Sequence, residues 1–90
     1  MEITTHAIRR CRERMGLPKK AIRRMAETAF DKGRHHSDFA GSFRRYLDGV
    51  FLGEKNANNM RIHNRYLFIF QGDLLITAWP VPPRYRKIAT

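Results

Sequence analysis

The dipeptide Gly72-Asp73 separates two runs, Tyr66–Gln71 and Leu74–Trp79, that are rich in aromatic and β-branched residues. A two-residue loop of this kind specifies a tight antiparallel hairpin, because few residue pairs adopt the backbone that lets right-twisted strands close on one another. Asn64-Arg65 stands in the same relation to Asn59–His63 and Tyr66–Gln71. The C-terminal part of the chain is therefore expected to form a three-stranded antiparallel meander. With two-residue loops the register follows. His63 falls opposite Tyr66, Ile62 opposite Leu67 and Arg61 opposite Phe68. Across the second hairpin, Gln71 meets Leu74, Ile69 meets Ile76, Phe68 meets Thr77 and Tyr66 meets Trp79.

Side chains alternate between the two faces of a sheet with period 2. One face then carries Met60, Ile62, Leu67, Ile69, Ile76 and Ala78 and is wholly apolar. The other carries Asn59, Arg61, His63, Tyr66, Phe68, Phe70, Leu75, Thr77 and Trp79. The apolar face is expected to be core against helices that precede the meander. The mixed face is either an open platform, where rings stack on bases and Arg61 meets phosphate, or is covered by a further helix.

The preceding helices are legible from their ends. Thr4 or Thr5 can cap a first helix whose stripe is Ala7, Ile8, Cys11 and Met15, and Gly16 suits its left-handed terminus. Pro18 opens a second helix with Ala21, Ile22, Met25, Ala26, Ala29 and Phe30 on one face, stopped at Gly33. Phe39, Phe43, Tyr46, Leu47, Val50 and Phe51 recur at helical spacing and favour a third helix over Gly41 to Leu52. Asp48-Gly49 is also a two-residue turn signal, so a hairpin there is the competing reading. After Pro80, Pro82 and Pro83, residues 82–90 with Arg84-Tyr85-Arg86-Lys87 read as a flexible basic tail. The fold class is thus α+β in a single domain of residues 1–90, a helical hairpin with a third helix packed on the meander.

Charge narrows the partner. The net charge is +10, and Arg9 to Arg23 alone holds seven basic side chains against one acid, Glu13. Such a field draws in polyanions. Arg10, Arg14, Lys19, Lys20 and Arg23 are the candidate phosphate ligands, with Tyr66 and Trp79 as stacking residues. His6, Arg10 and Arg14 repeat at i, i+4 and i+8 and form one helix ridge that could clamp a phosphate. The eight acids are scattered, with no D-x-D-like cluster able to hold magnesium, and one cysteine gives zinc too few ligands. No metal or other cofactor is expected. A lone Cys11 fits a reducing compartment, no apolar run reaches membrane length, and no signal-peptide core stands near Met1. A cytoplasmic location without membrane contact is expected.

Thr5-His6-Ala7 before an Arg-rich helix, then Arg14-Met15-Gly16-Leu17, a second helix and a closing hairpin with Leu75-Ile76-Thr77 resemble the barnase–EndoU–colicin–RelE group. The likeness is closest to its small members, opening with a His-Ala-x-x-Arg helix, of the kind carried by phages and mobile elements. It covers about two thirds of the chain, and Ser37–Asn58 departs from it. The resemblance implies a toxin-like endoribonuclease that needs no metal: the ribose 2′-OH attacks the adjacent phosphate. Matched to that pattern, His6 is the helix histidine, Arg10 and Arg14 its arginines, and Thr77 the polar residue of the last strand. The register adds Arg61 and His63, so that two histidines share acid and base duties while Arg61 stabilises the phosphorane. An acidic antitoxin would then be a natural partner. The alternatives are a non-catalytic RNA- or DNA-binding module, and an accessory protein that inhibits a host nucleoprotein complex such as a CRISPR effector.

Overall fold

A computed structural model describes residues 1–89. Helix α1 (Thr5–Met15) starts where the Thr4 hydroxyl accepts the Ala7 N–H at 3.0 Å. It ends at Gly16, whose φ of 68° is the left-handed conformation that only glycine adopts without strain. Pro18 then fixes an extended residue at the start of α2 (Lys19–Lys32). The helical hairpin matches its sequence expectation.

The sheet is larger than the meander. Five strands lie in the order β1-β5-β4-β3-β2, with β1 at Glu2–Ile3, β2 at Arg34–His35, β3 at Asn59–His63, β4 at Tyr66–Gln71 and β5 at Leu74–Pro80. The meander strands β3, β4 and β5 are antiparallel, β2 extends them antiparallel beside β3, and β1 pairs parallel with β5. The first element is thus a strand, not a helix. Strands of two residues are too short to show any alternation, which is why β1 and β2 leave no sequence signal.

Register agrees with expectation between β3 and β4, where Asn64 and Arg65 both take positive φ (51° and 68°) in a two-residue turn. Across β4 and β5 it agrees at Gln71–Leu74 and Phe70–Leu75 and shifts from there on. Ile69 pairs with Thr77, Phe68 with Ala78, Leu67 with Trp79 and Tyr66 with Pro80. Ile76 is the extra residue of a β-bulge, and one extra residue exchanges the faces of everything after it. Ala78 therefore joins Phe68 and Phe70, while Thr77 and Trp79 turn to the side of Leu67 and Ile69.

Both faces are covered, by the opposite partners from those expected. The hairpin α1–α2 packs Ile8, Cys11, Ile22, Ala26 and Ala29 on Phe68, Phe70, Leu75 and Ala78. The helix α3 (Gly41–Gly53) packs Phe43 and Leu47 on Met60, Ile62, Leu67 and Ile69. Alternation sorts side chains into two faces but does not say which of two amphipathic partners takes which face. Residues 41–53 form a helix rather than a hairpin, and Arg44 pairs with Asp48 one turn on at 2.9 Å. Residues 82–89 are not a loose tail. A 3-10 turn at Pro83–Tyr85 leads into α4 (Arg86–Ala89), and Tyr85 is buried against Phe43 with ring centroids 4.9 Å apart. No helix of the described residues is long and apolar enough to cross a membrane.

Candidate nucleic-acid interface

Helix α1 lies along β5. Strand β1 pairs only with Leu74 and Leu75, so α1 covers the rest of that edge, and the Ala78 N–H meets the Cys11 sulfur. Burial pushes the Cys11 thiol up to about 11, which leaves it an inert core side chain. From the next turn Arg14 reaches across the edge. Its guanidinium lies 3.5 Å from the centroid of the Trp79 ring and donates a short hydrogen bond to the Thr77 hydroxyl. Thr77 is fully buried. Partial burial, and then the neighbouring Arg10 charge, pull the Arg14 pKa below its ordinary value. Arg14, Thr77 and Trp79, separately named from the sequence, meet here across 63 residues of chain. The bulge at Ile76 is what turns Thr77 and Trp79 to this side.

Arg10, one turn earlier on the same ridge, approaches Glu54 at 3.8 Å. Glu54 closes one end of a crevice between α3 and β5 whose other lining is Tyr46, Gly49, Val50, Gly53 and Trp79. Tyr46 and Glu54 escaped sequence reasoning, since nothing local ties an acid after the third helix to an arginine of the first.

The remaining expected residues are dispersed. His6 is exposed on the α1 ridge. His63 pairs with Tyr66 at the end of the sheet where β5 leaves through Pro80, while β1 leads into α1 from the opposite, Leu74 end. The two histidines named as acid and base therefore sit at opposite ends of the sheet. Arg61 is engaged within the fold: Nε donates to Asn59 Oδ1 at 3.1 Å and Nη1 to the Gly33 carbonyl at 3.0 Å. It closes the C-terminus of α2, where a cation suits the carbonyl end of the helix. A Cβ on Gly33 would lie 2.5 Å from the Ala29 carbonyl oxygen and 3.0 Å from Arg61 Cβ, so the approach needs glycine. Tyr66 lines a separate groove with Leu17, Met25, Arg65 and Arg86.

Lys19, Lys20 and Arg23 stand exposed on α2, beside Arg24, and Arg9 and Arg12 are exposed on α1. The ion pairs among the described residues are Arg10–Glu54, His36–Asp48 and Arg44–Asp48, and none involves these six cations. Surface repulsion among so many like charges is a standing cost that a bound polyanion would relieve. No protein-family model, curated protein sequence or solved structure matches the chain. The resemblance to the barnase–EndoU–colicin–RelE group thus rests on the quoted residues alone.

Proposed function

We propose that the protein binds single-stranded RNA, taking the phosphates on the exposed cations of α1 and α2 and on the Arg10–Arg14 ridge. The observation that carries this is a set of seven exposed cations, Arg9, Arg12, Lys19, Lys20, Arg23, Arg24 and Lys32, on two adjacent helices and without an ion pair among the described residues, in a chain of net charge +10. Phosphate contacts of this kind supply affinity without reading sequence. The Arg14–Trp79 stack adds a place where a ring and a phosphate can be held together. The likeness of the opening helix and last strand to RNA-acting proteins is what favours RNA over DNA. Fluorescence anisotropy of a labelled single-stranded RNA tests the proposal: saturable binding at low salt, stronger than for duplex DNA of equal charge, is expected. Absence of binding at low salt overturns it.

A second reading, metal-independent cleavage, is favoured by His6 standing on the same ridge as Arg10 and Arg14. It differs from the sequence expectation in leaving out Arg61, which is engaged elsewhere, and His63, at the far end of the sheet. Incubation of the protein with RNA in EDTA decides it. Fragments with 2′,3′-cyclic phosphate ends, lost in His6→Ala, would establish cleavage, and intact RNA would leave binding alone.

A further inference from the structure

The turn Asn64-Arg65 puts arginine where the backbone favours glycine. Both residues take positive φ, 51° and 68°, and the second position of such a two-residue turn is the usual place of glycine. The turn's own contact does not need the side chain. The Arg65 carbonyl accepts the Val81 N–H at 2.9 Å, and a glycine carbonyl would do the same. Among the described residues the Arg65 guanidinium has no ion pair and no hydrogen bond. The fold alone does not account for this arginine.

Its side chain lines a groove of about 490 Å³ at the end of the sheet, within the range of small-ligand sites. Arg86, the first residue of α4, lines it too and is equally unpaired. Helix α2 supplies Ala21 and Met25, one turn apart, and Leu17 comes from the connection before them. These three and Tyr66 are only half-buried, so apolar surface is left open there. Among the described residues no acid lines the groove. Two guanidiniums beside open apolar surface, with no acid between them, are complementary to an anion carried on an apolar body. The neutral polar side chains of the lining are Asn64 and Tyr66, too few to read the edge of a base or a sugar.

We propose that this groove binds an aliphatic carboxylate, a medium-chain fatty acid, with its head at Arg65 and Arg86 and its chain along Leu17, Ala21 and Met25. A guanidinium meets a carboxylate through parallel N–H···O bonds, and each methylene laid on the apolar wall leaves water. The turn, tied to Val81, fixes the backbone of Arg65 before the ligand arrives, which lowers the ordering cost of binding. Arg65 and Arg86 are not among the cations proposed for RNA, so the site stands apart from that reading.

Titration calorimetry with decanoate below its micelle concentration tests the site, and one saturable site per chain is expected. Decanol, which lacks the charge, and butyrate, which lacks the chain, should each bind more weakly by about tenfold or more. Arg65→Gly should weaken decanoate about tenfold and leave the melting temperature unchanged or higher, because glycine suits the turn. Ala21→Leu should also weaken binding, since it fills the groove while both residues favour the helix. Arg45→Gln removes an exposed charge on α3 and should leave decanoate affinity within about twofold. No saturable binding, or equal binding of decanol and decanoate, overturns the proposal. So does an equal loss in Arg45→Gln and Arg65→Gly, the mark of general attraction to a basic protein. Displacement of decanoate by inorganic phosphate or 5′-AMP at matched concentration would give the groove to phosphates and overturn it as well.

Discussion

Replacing Arg61 by alanine should cost about 2 kcal/mol of stability and leave RNA affinity within about twofold, because Arg61 serves the fold rather than the ligand. Its two hydrogen bonds, to Asn59 Oδ1 at 3.1 Å and to the Gly33 carbonyl at 3.0 Å, both come from a charged donor. Such bonds contribute about 1.5–3 kcal/mol each when buried and less at a half-buried site. The favourable interaction of a cation with the end of α2 adds about 0.3–1 kcal/mol. Partial exposure and water replacing the lost donor bring the sum down to about 2 kcal/mol. In a domain of this size each kcal/mol moves the melting temperature by about 4–8 °C, so a fall of roughly 8–16 °C is expected. Urea unfolding of wild type, Arg61→Ala and Arg61→Lys measures it. The lysine variant should recover only the helix-end interaction, since one ammonium cannot span both acceptors. A loss below about 0.5 kcal/mol, together with a tenfold drop in RNA affinity, would refute the assignment and return Arg61 to the ligand.

Tyr85→Ala should destabilise by about 3 kcal/mol in the same assay, because Tyr85 packs its ring on Phe43 and Tyr46 in the core beneath α3. An unchanged midpoint would mean that residues 82–89 are not part of the folded body. Burial raises the Cys11 thiol from 9.0 to about 11, so the native state holds the proton more tightly than the unfolded chain. The stability this contributes is fully present below about pH 9 and falls as pH rises from there toward 11. Chemical denaturation across that range should show the fall, and Cys11→Ala should make it smaller; native Cys11 should also resist alkylation near pH 8.

How much of this was legible follows the local code closely. Thr4, Gly16 and Pro18 announce the ends of α1 and the start of α2 because caps act within one turn. The β3–β4 register was legible because a two-residue turn fixes pairing outright. Beyond Phe70 the same logic failed, since Ile76 is an ordinary strand residue and nothing in its identity marks a bulge. The error carried consequences for the site. It placed Trp79 and Thr77 beside Arg61 and His63, whereas the bulge turns them toward Arg14. Arg14, Thr77 and Trp79 were each identifiable by type, but their meeting depends on that one inserted residue. Arg61 looked available because side-chain alternation cannot show that the end of α2, leading into the neighbouring strand β2, claims it.

The central claim is that exposed cations of α1 and α2 carry RNA binding, and its most direct test is the salt dependence of affinity. Each phosphate neutralised on a single strand contributes about 0.7 to the slope of log affinity against log salt. Wild type and a variant with Arg12, Lys19, Lys20 and Arg23 all changed to alanine are compared on one single-stranded RNA. The expected result is a slope shallower by roughly 2–3 in the variant, with folding unchanged by circular dichroism. An identical slope in the two proteins would contradict the account and move the RNA, if bound, to another face.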